Sequence, residues 1–237
     1  MLDLFGAKIE IAGNKITLKG KNKLIAKEIS IPGDISSAAF FLVLGSVSKD
    51  SRILIKNIGI NITRVGIIDV LKSMGADISI KNEKNKNYEP AADLSVKGKK
   101  LKGITIPKSI IPKVIDELPI IAVAATQAEG TTIIKNAAEL RVKETDRIHA
   151  IAAGLKKMGA KIEEKPDGLI IKGPTKLKGC TCESFGDHRI GMALAIAGAI
   201  AEGKTTILES ECIDISFPSF TGLLRKICGE KHVKEKN

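Results

Sequence analysis

Leu155-Lys156-Lys157-Met158-Gly159-Ala160-Lys161-Ile162 repeats an earlier phrase of the chain, Leu71-Lys72-Ser73-Met74-Gly75-Ala76-Asp77-Ile78. Self-similarity at long spacing is the signature of a repeat architecture, and this pair decides the reading of the fold. A weaker copy opens the chain, Leu2-Asp3-Leu4-Phe5-Gly6-Ala7-Lys8-Ile9, and a fainter one, Leu224-Arg225-Lys226-Ile227-Cys228-Gly229, stands near its end. The glycines fall at 6, 75, 159 and 229, separated by 69, 84 and 70 residues. In each copy Gly ends an apolar-periodic helix, the usual place for a left-handed C-terminal cap. A strand follows the first three.

A second phrase precedes each of the last three copies. Asp34 opens a helical stretch through residues 38–47, followed by a strand at 51–55. Asp116 opens the stretch 118–128, with a strand at 130–134; Asp187 opens 190–201, with a strand at 203–208. A carboxylate at a helix start meets free backbone N–H groups and the positive helix end, and capping alone accounts for Asp34 and Asp187. Pro119 suits the first turn of the second of these helices. Closing strands are expected at 77–80 with 92–96, and at 161–164 with 168–171. The unit therefore reads strand, helix, strand, helix, strand, strand, an α/β (α+β) pattern. Residues 1–31 carry closing strands (8–11 and 15–18) without a body, and the last unit stops in the polar stretch 230–237 without closing strands. Two whole units and two incomplete ones predict a fragment of a longer repeat protein.

Hydrophobic residues make up 43% of the 237, enough for a substantial core, while aromatics are 3% with no Trp and one Tyr. That composition favours helices on sheets and argues against a platform for stacking bases. The net charge of +11 predicts attraction to anions of some kind. Much of the Lys, in runs at 81–86, 97–102 and 231–236, is expected in loops or ends as solvated surface. Cys180, Cys182, Cys212 and Cys228 form no CxxC pair and no His clusters with them, which points to reduced thiols rather than a zinc site. No apolar run reaches membrane-spanning length, and residues 1–6 lack the regions of a signal peptide.

The chemistry concentrates in Arg141-Val142-Lys143-Glu144-Thr145-Asp146-Arg147 and in Asp187-His188-Arg189, read together as part of a site for phosphorylated substrates. In the first, three cations and two carboxylates crowd onto one expected helix start. Lys143 and Arg147, four apart, would share a face, as would Glu144 and Arg147 at three apart, and the two cations would jointly hold a phosphate. A plain solvated helix with spaced salt bridges fits the same spacing, and a capping Asp with surface His and Arg fits the second segment. Asp116 stands at the third such junction and would serve as general base against a substrate hydroxyl. His149 and His232 read as incidental.

Residues 1–227 resemble the C-terminal half of the 5-enolpyruvylshikimate-3-phosphate (EPSP) synthase family. The resemblance is carried by residues 140–147 (LRVKETDR), Asp187-His188-Arg189 within GDHRIGMA, residues 32–38 (PGDISSA) and Ser216-Phe217-Pro218. It implies an inside-out barrel of βαβαββ units around a pseudo-threefold axis, one domain of two. Residues 1–31 would then be a remnant of the N-terminal domain, and 32–237 the C-terminal enolpyruvyl transferase domain with its last unit unfinished. The implied reaction moves the enolpyruvyl group of phosphoenolpyruvate to the 5-hydroxyl of shikimate 3-phosphate through a tetrahedral intermediate. It releases phosphate and needs no cofactor or metal.

The resemblance also assigns roles. Asp116 matches the proton acceptor on the shikimate hydroxyls, and Lys143 a ligand of the shikimate phosphate. Arg147 and Arg189 match phosphoenolpyruvate ligands. Glu144 matches a carboxylate for proton transfer at the enolpyruvyl carbons, and His188 a neighbouring polar residue of the site. Glu139 and Ile215 stand where some members carry Asn and Lys ligands, and those two roles are not transferred. Further ligands (a Lys, an Arg, and Ser and Gln residues) belong to the N-terminal half, so this chain alone is expected to turn over little. The family implies a cytoplasmic, mostly monomeric enzyme of small-molecule substrates, with no nucleic acid or membrane partner. The competing readings are a fragment of the related UDP-N-acetylglucosamine enolpyruvyl transferases and a non-catalytic basic module for nucleic acid.

Overall fold

The computed structural model describes residues 1–86, 89–229 and 233. His232 and the basic run at 231–236, apart from residue 233, lie outside them.

The chain opens with a hairpin, β1 (Ile9–Ala12) and β2 (Lys15–Leu18), paired antiparallel. The expected helix end before it is a single turn, closed by Phe5 N–H on the Met1 carbonyl at 3.2 Å. The first full unit holds α1 (Ile35–Val47), β3 (Arg52–Gly59), α2 (Gly66–Ser73), β4 (Asp77–Lys86) and β5 (Glu89–Lys97). The second holds a short α3 (Ile111–Val114), a 3-10 turn (Ile115–Glu117), α4 (Leu118–Gln127), β6 (Gly130–Ile134), a second 3-10 turn (Ala138–Val142), α5 (Arg147–Lys157), β7 (Lys161–Lys165) and β8 (Gly168–Gly173). The third holds β9 (Thr181–Glu183), α6 (His188–Ala199), β10 (Thr206–Leu208), α7 (Cys212–Ser216) and α8 (Phe220–Cys228). Among the described residues no strand follows α8.

The units superimpose in pattern. The closing strand lies in the middle of each three-stranded sheet, in the orders β3-β5-β4 and β6-β8-β7. The opening strand pairs parallel with the strand after the first helix: as β9 with β10 in the third unit, and as the bridges Gly33 to Ile58 and Thr105 to Ile133 in the others. Gly6, Gly75, Gly159 and Gly229 have φ of 89°, 93°, 92° and 93°, so the repeated glycine marks a backbone state that a side chain disfavours. A second repeated glycine, in Leu101-Lys102-Gly103 and Leu177-Lys178-Gly179, escaped the sequence reading. A Cβ there would lie 2.5 Å from the Thr131 backbone and 2.4 Å from that of Lys204, so the chains approach too closely for any other residue.

The core explains the two helix types. α1, α4 and α6 pack against one another, and almost every side chain on α4 is buried, including Leu118, Ile121 and Ala125. A helix apolar all round belongs in a centre, whereas α2, α5 and α8 keep a polar face for solvent. Phe217 and Phe220 close the ring: they lie 6.2 Å and 5.7 Å from Phe41 of α1, edge-on and tilted. Ser216-Phe217-Pro218 thus ties the third unit back to the first.

Three expectations need correction. Residues 81–86 form strand rather than loop. The β4–β5 ladder continues past the core because Asp93 accepts from Asn57 N–H and the Asn82 amide, each at 2.8 Å, pinning bulges in both neighbouring strands. Those bonds hold the Asp93 carboxyl below the ordinary carboxylate range. The helix expected to carry Lys143 and Glu144 begins only at Arg147, because Asp146 caps it by accepting from His149 N–H at 3.0 Å. The strand at 203–208 shortens to Thr206–Leu208.

Candidate active site at the helix junctions

The site is built on the N-terminal ends of the inner helices α4 and α6 and of the outer helix α5. Asp187 caps α6: Oδ1 accepts from the Arg189 and Ile190 N–H groups at 2.8 and 3.3 Å. Its other oxygen accepts from Arg147 Nε at 2.7 Å. Asp34 caps α1 in the same way, accepting from Ser37 N–H at 2.8 Å. Asp116 differs. It lies in the 3-10 turn ahead of α4, and the cap position there, Glu117, makes no side-chain capping bond. Asp116 is therefore free of capping, and its side chain is 41% exposed.

Arg147 is the hub. Its side chain is 2% exposed, and each of its three nitrogens meets a different carboxylate: Nε with Asp187, Nη1 with Asp116 at 3.0 Å, and Nη2 with Glu144 at 2.6 Å. A buried guanidinium survives only when so compensated. Of its five N–H donors, two remain for another acceptor. The Glu144 contact at i,i+3 persists, but through loop geometry, not a helical face.

Arg189 is held more loosely. It lies 3.5 Å from the Asp116 carbonyl, 3.9 Å from Asp116 Oδ2 and 3.7 Å from Glu117 Oε1. Lys143 pairs with Glu139 at 2.7 Å, and that hydrogen bond raises the ammonium above its ordinary value, so it stays charged. Burial, helped by Arg189, lowers His188, which leaves the neutral ring dominant at neutral pH. Ile215 is nearly fully exposed.

All six sequence-predicted residues lie at these junctions, but they do not share one role. Arg141, the first cation of its segment, turns away. Its nitrogens bind Asp146 at 2.7 Å, Glu164 at 3.0 Å and the Pro166 and Lys165 carbonyls at 2.7 and 2.6 Å, staking the loop onto the β7–β8 turn. The His149 ring meets Glu164, at 3.2 Å, as an incidental surface contact. The sequence reading missed Glu117, a carboxylate buried beside Ser36, which donates to it. The signal was present: two adjacent carboxylates directly precede an apolar helix, and only one can point outward. Cations are outnumbered here. Lys143, Arg147 and Arg189 face Asp116, Glu117, Glu139, Glu144 and Asp187, so the overall charge of +11 resides elsewhere. Among the described residues no three His, Cys, Asp or Glu side chains group as a metal site. None of the helices is long and apolar enough to cross a membrane, again among the described residues.

A carboxylate free of capping thus stands between two arginines where the repeated units meet. The sequence model of EPSP synthase (3-phosphoshikimate 1-carboxyvinyltransferase) matches residues 1–224. The chain belongs to the EPSP synthase family. The 3-phosphoshikimate 1-carboxyvinyltransferase of Bacillus cytotoxicus is 52% identical over 220 residues, 93% of this chain and 52% of that protein. The Bacillus cereus enzyme of the same name is 52% identical over 227 residues, 96% of this chain and 53% of its own length. The EPSP synthase structure from Acinetobacter baumannii superimposes with a TM-score of 0.91 at 44% identity, over 95% of this chain and 53% of that one. The enolpyruvyl transferase NikO from Streptomyces tendae shares the fold, with a TM-score of 0.76 at 19% identity. This chain thus spans about half the length of the EPSP synthases it matches, and its fold is the α/β enolpyruvyl transferase barrel of repeated βαβαββ units.

Proposed function

We propose that this chain supplies one wall of a cleft in which the enolpyruvyl group of phosphoenolpyruvate passes to the 5-hydroxyl of shikimate 3-phosphate, with release of phosphate. The observation that carries the reading is Asp116, the one junction carboxylate of three left uncapped and presented between Arg147 and Arg189. Asp116 takes the proton of the attacking hydroxyl as the oxygen adds to the enolpyruvyl carbon. The methylene carbon takes up a proton by way of Glu144, whose carboxyl, exposed beside Arg147, takes that proton from solvent. Elimination then returns that proton to the Glu144 carboxylate and expels phosphate, which carries away the proton held by Asp116. Arg189 and the spare donors of Arg147 bind phosphoenolpyruvate, and Lys143 the shikimate phosphate. His188, neutral beside them, donates or accepts a hydrogen bond without adding charge. No cofactor enters the scheme.

Residues 1–31 belong, in this reading, to the neighbouring domain, which fits the exposure of Ile11, Ile16 and Leu18 on the hairpin. Residues from 32 onward form the enolpyruvyl transferase domain. The excess of carboxylates on this wall requires further cations from the other domain, so the 237-residue chain alone turns over little. The whole enzyme is a cytoplasmic monomer acting on small molecules, without nucleic acid or membrane.

The test is a chimera in which residues 1–224 replace the matching part of the Bacillus cereus relative. Phosphate release is expected with phosphoenolpyruvate and shikimate 3-phosphate together, and not with UDP-N-acetylglucosamine as acceptor. Asp116→Ala should cut turnover by about 10²- to 10⁴-fold, the range for a general base. A folded chimera that releases no phosphate, or an Asp116→Ala form at full rate, would sink the assignment.

A further inference from the structure

Glu117 is a buried carboxylate for which the proposed chemistry has no task. It is 4% exposed and stands where the three units meet. Ser36 of the first unit donates its hydroxyl to Oε1. Arg64 Nη2 donates to Ser36 Oγ at 2.9 Å and lies 2.9 Å from Asp34 Oδ1, so the hydroxyl is itself held in place. On the other side of Glu117, in the third unit, Arg189 Nη1 sits 3.7 Å from the same Oε1. The remaining Arg189 contacts, both to Asp116, are 3.5 and 3.9 Å. All three exceed the length of a charge-assisted hydrogen bond. Arg189 is therefore drawn by charge without being clamped, since Coulomb attraction persists at distances where a hydrogen bond fails.

Burial of such a carboxylate is costly, and it raises Glu117 above the ordinary carboxylate range even with the Ser36 bond opposing it. A neutral glutamine would fill the same space and accept the same hydroxyl at lower cost. A purely structural role would be better served by that residue.

We infer that Glu117 is a positioning residue, whose charge, oriented by Ser36 and Arg64, aims the Arg189 guanidinium at the anion site beside Asp116. It touches no reacting atom and acts only through Arg189. The inference rests on reading Arg189 as a phosphoenolpyruvate ligand.

Glu117→Gln in the 237-residue chain tests the placement directly. Arginine side-chain nitrogen NMR should show the Arg189 signal, assigned by its loss in Arg189→Lys, shifted or broadened while that of Arg147 stays. The thermal midpoint at pH 7 should hold or rise, because a buried charge has gone. The sign follows from the raised value: ionised Glu117 lowers stability as pH rises, so any gain fades as the pH falls through the raised Glu117 value and is gone below the usual glutamate range. Ser36→Ala, which releases the carboxylate from its anchor, should move the Arg189 signal too. An unmoved Arg189 signal in Glu117→Gln overturns the inference. So does a joint shift of both arginines with a lowered midpoint, which is the mark of a structural residue.

In the chimera, Glu117→Gln should raise the KM for phosphoenolpyruvate about tenfold with kcat and the KM for shikimate 3-phosphate little changed, a loss of binding rather than of chemistry. In an Arg189→Lys background the same substitution should add nothing; an undiminished further loss there would show that Glu117 does not work through Arg189. An unsubstituted chimera without turnover overturns the ligand reading of Arg189 instead, and the placement is then decided by the NMR signals of the 237-residue chain.

Discussion

Asp34 with Arg64, and Asp187 with Arg147, are the same pair built twice. In each, the aspartate caps an inner helix and the arginine comes from the start of an outer one. The contact distances are alike, 2.9 and 2.7 Å. The surroundings are not. The first pair stays within one unit and keeps about half of each side chain in water, at 42% for Asp34 and 53% for Arg64. The second bridges two units and is sealed, at 0% and 2%. Geometry is thus a poor guide to what a pair is worth. An exposed pair contributes little because water and salt replace each partner well. A buried one becomes indispensable, since removing one member strands the other's charge in a medium that cannot solvate it. Placement at a unit interface also turned the second pair into the scaffold of a site, because Arg147 is then near enough to gather Asp116 and Glu144.

The largest expected effect falls on the sealed pair. Asp187→Ala removes both a cap and the fully buried partner of a buried guanidinium, and should cost about 3–5 kcal/mol in denaturant unfolding. A loss below that of the exposed pair would break the distinction drawn here. Asp34→Ala should cost about 1–2 kcal/mol, most of it from the cap and the rest from a surface ion pair. Smallest is the response to salt. At about 1 M ionic strength the screening length falls to roughly 3 Å, so Asp34→Ala should lose part of its cost while Asp187→Ala keeps its own. Equal salt responses in the two variants would mean that burial is not what separates the pairs. The same contrast predicts that Arg147→Ala acts first on folding, through three carboxylates that lose their shared partner. Arg189 is accordingly the cleaner probe of the proposed anion binding.

Much of this was legible in the linear sequence. The repeated Lys-x-Met-Gly-Ala phrase located the helix ends and strand starts of two units, and the matching place in each unit gave the closing strands near 161–164 and 168–171. The strands at 77–86 were half-legible: their outer portion is Lys-Asn-Glu-Lys, with weak strand propensity, and is held by the side chain of Asp93 from the neighbouring strand. The RVKETDR segment was recognisable as a charged junction, yet its three cations could not be sorted. Arg141 points to the β7–β8 turn, Lys143 to Glu139 and Arg147 inward, and each choice depends on a partner 4 to 40 residues away. Glu117 stayed hidden because its partners, Ser36 and Arg189, lie 81 residues before it and 72 after it in the chain.

The linear order of residues suffices for the periodic features: which stretches form inner and outer helices, where aspartates cap them, and that one unit is built repeatedly. These follow from local preferences, from apolar spacing, helix-end donors and backbone states reserved for glycine, and each acts within a few residues. Only the tertiary structure decided the rest. Three junctions become one face because three helices share a core, and an aspartate becomes a strut or stays open according to whether it caps a helix end. Burial then sets the worth of every charge, and burial is a property of packing that no local stretch encodes.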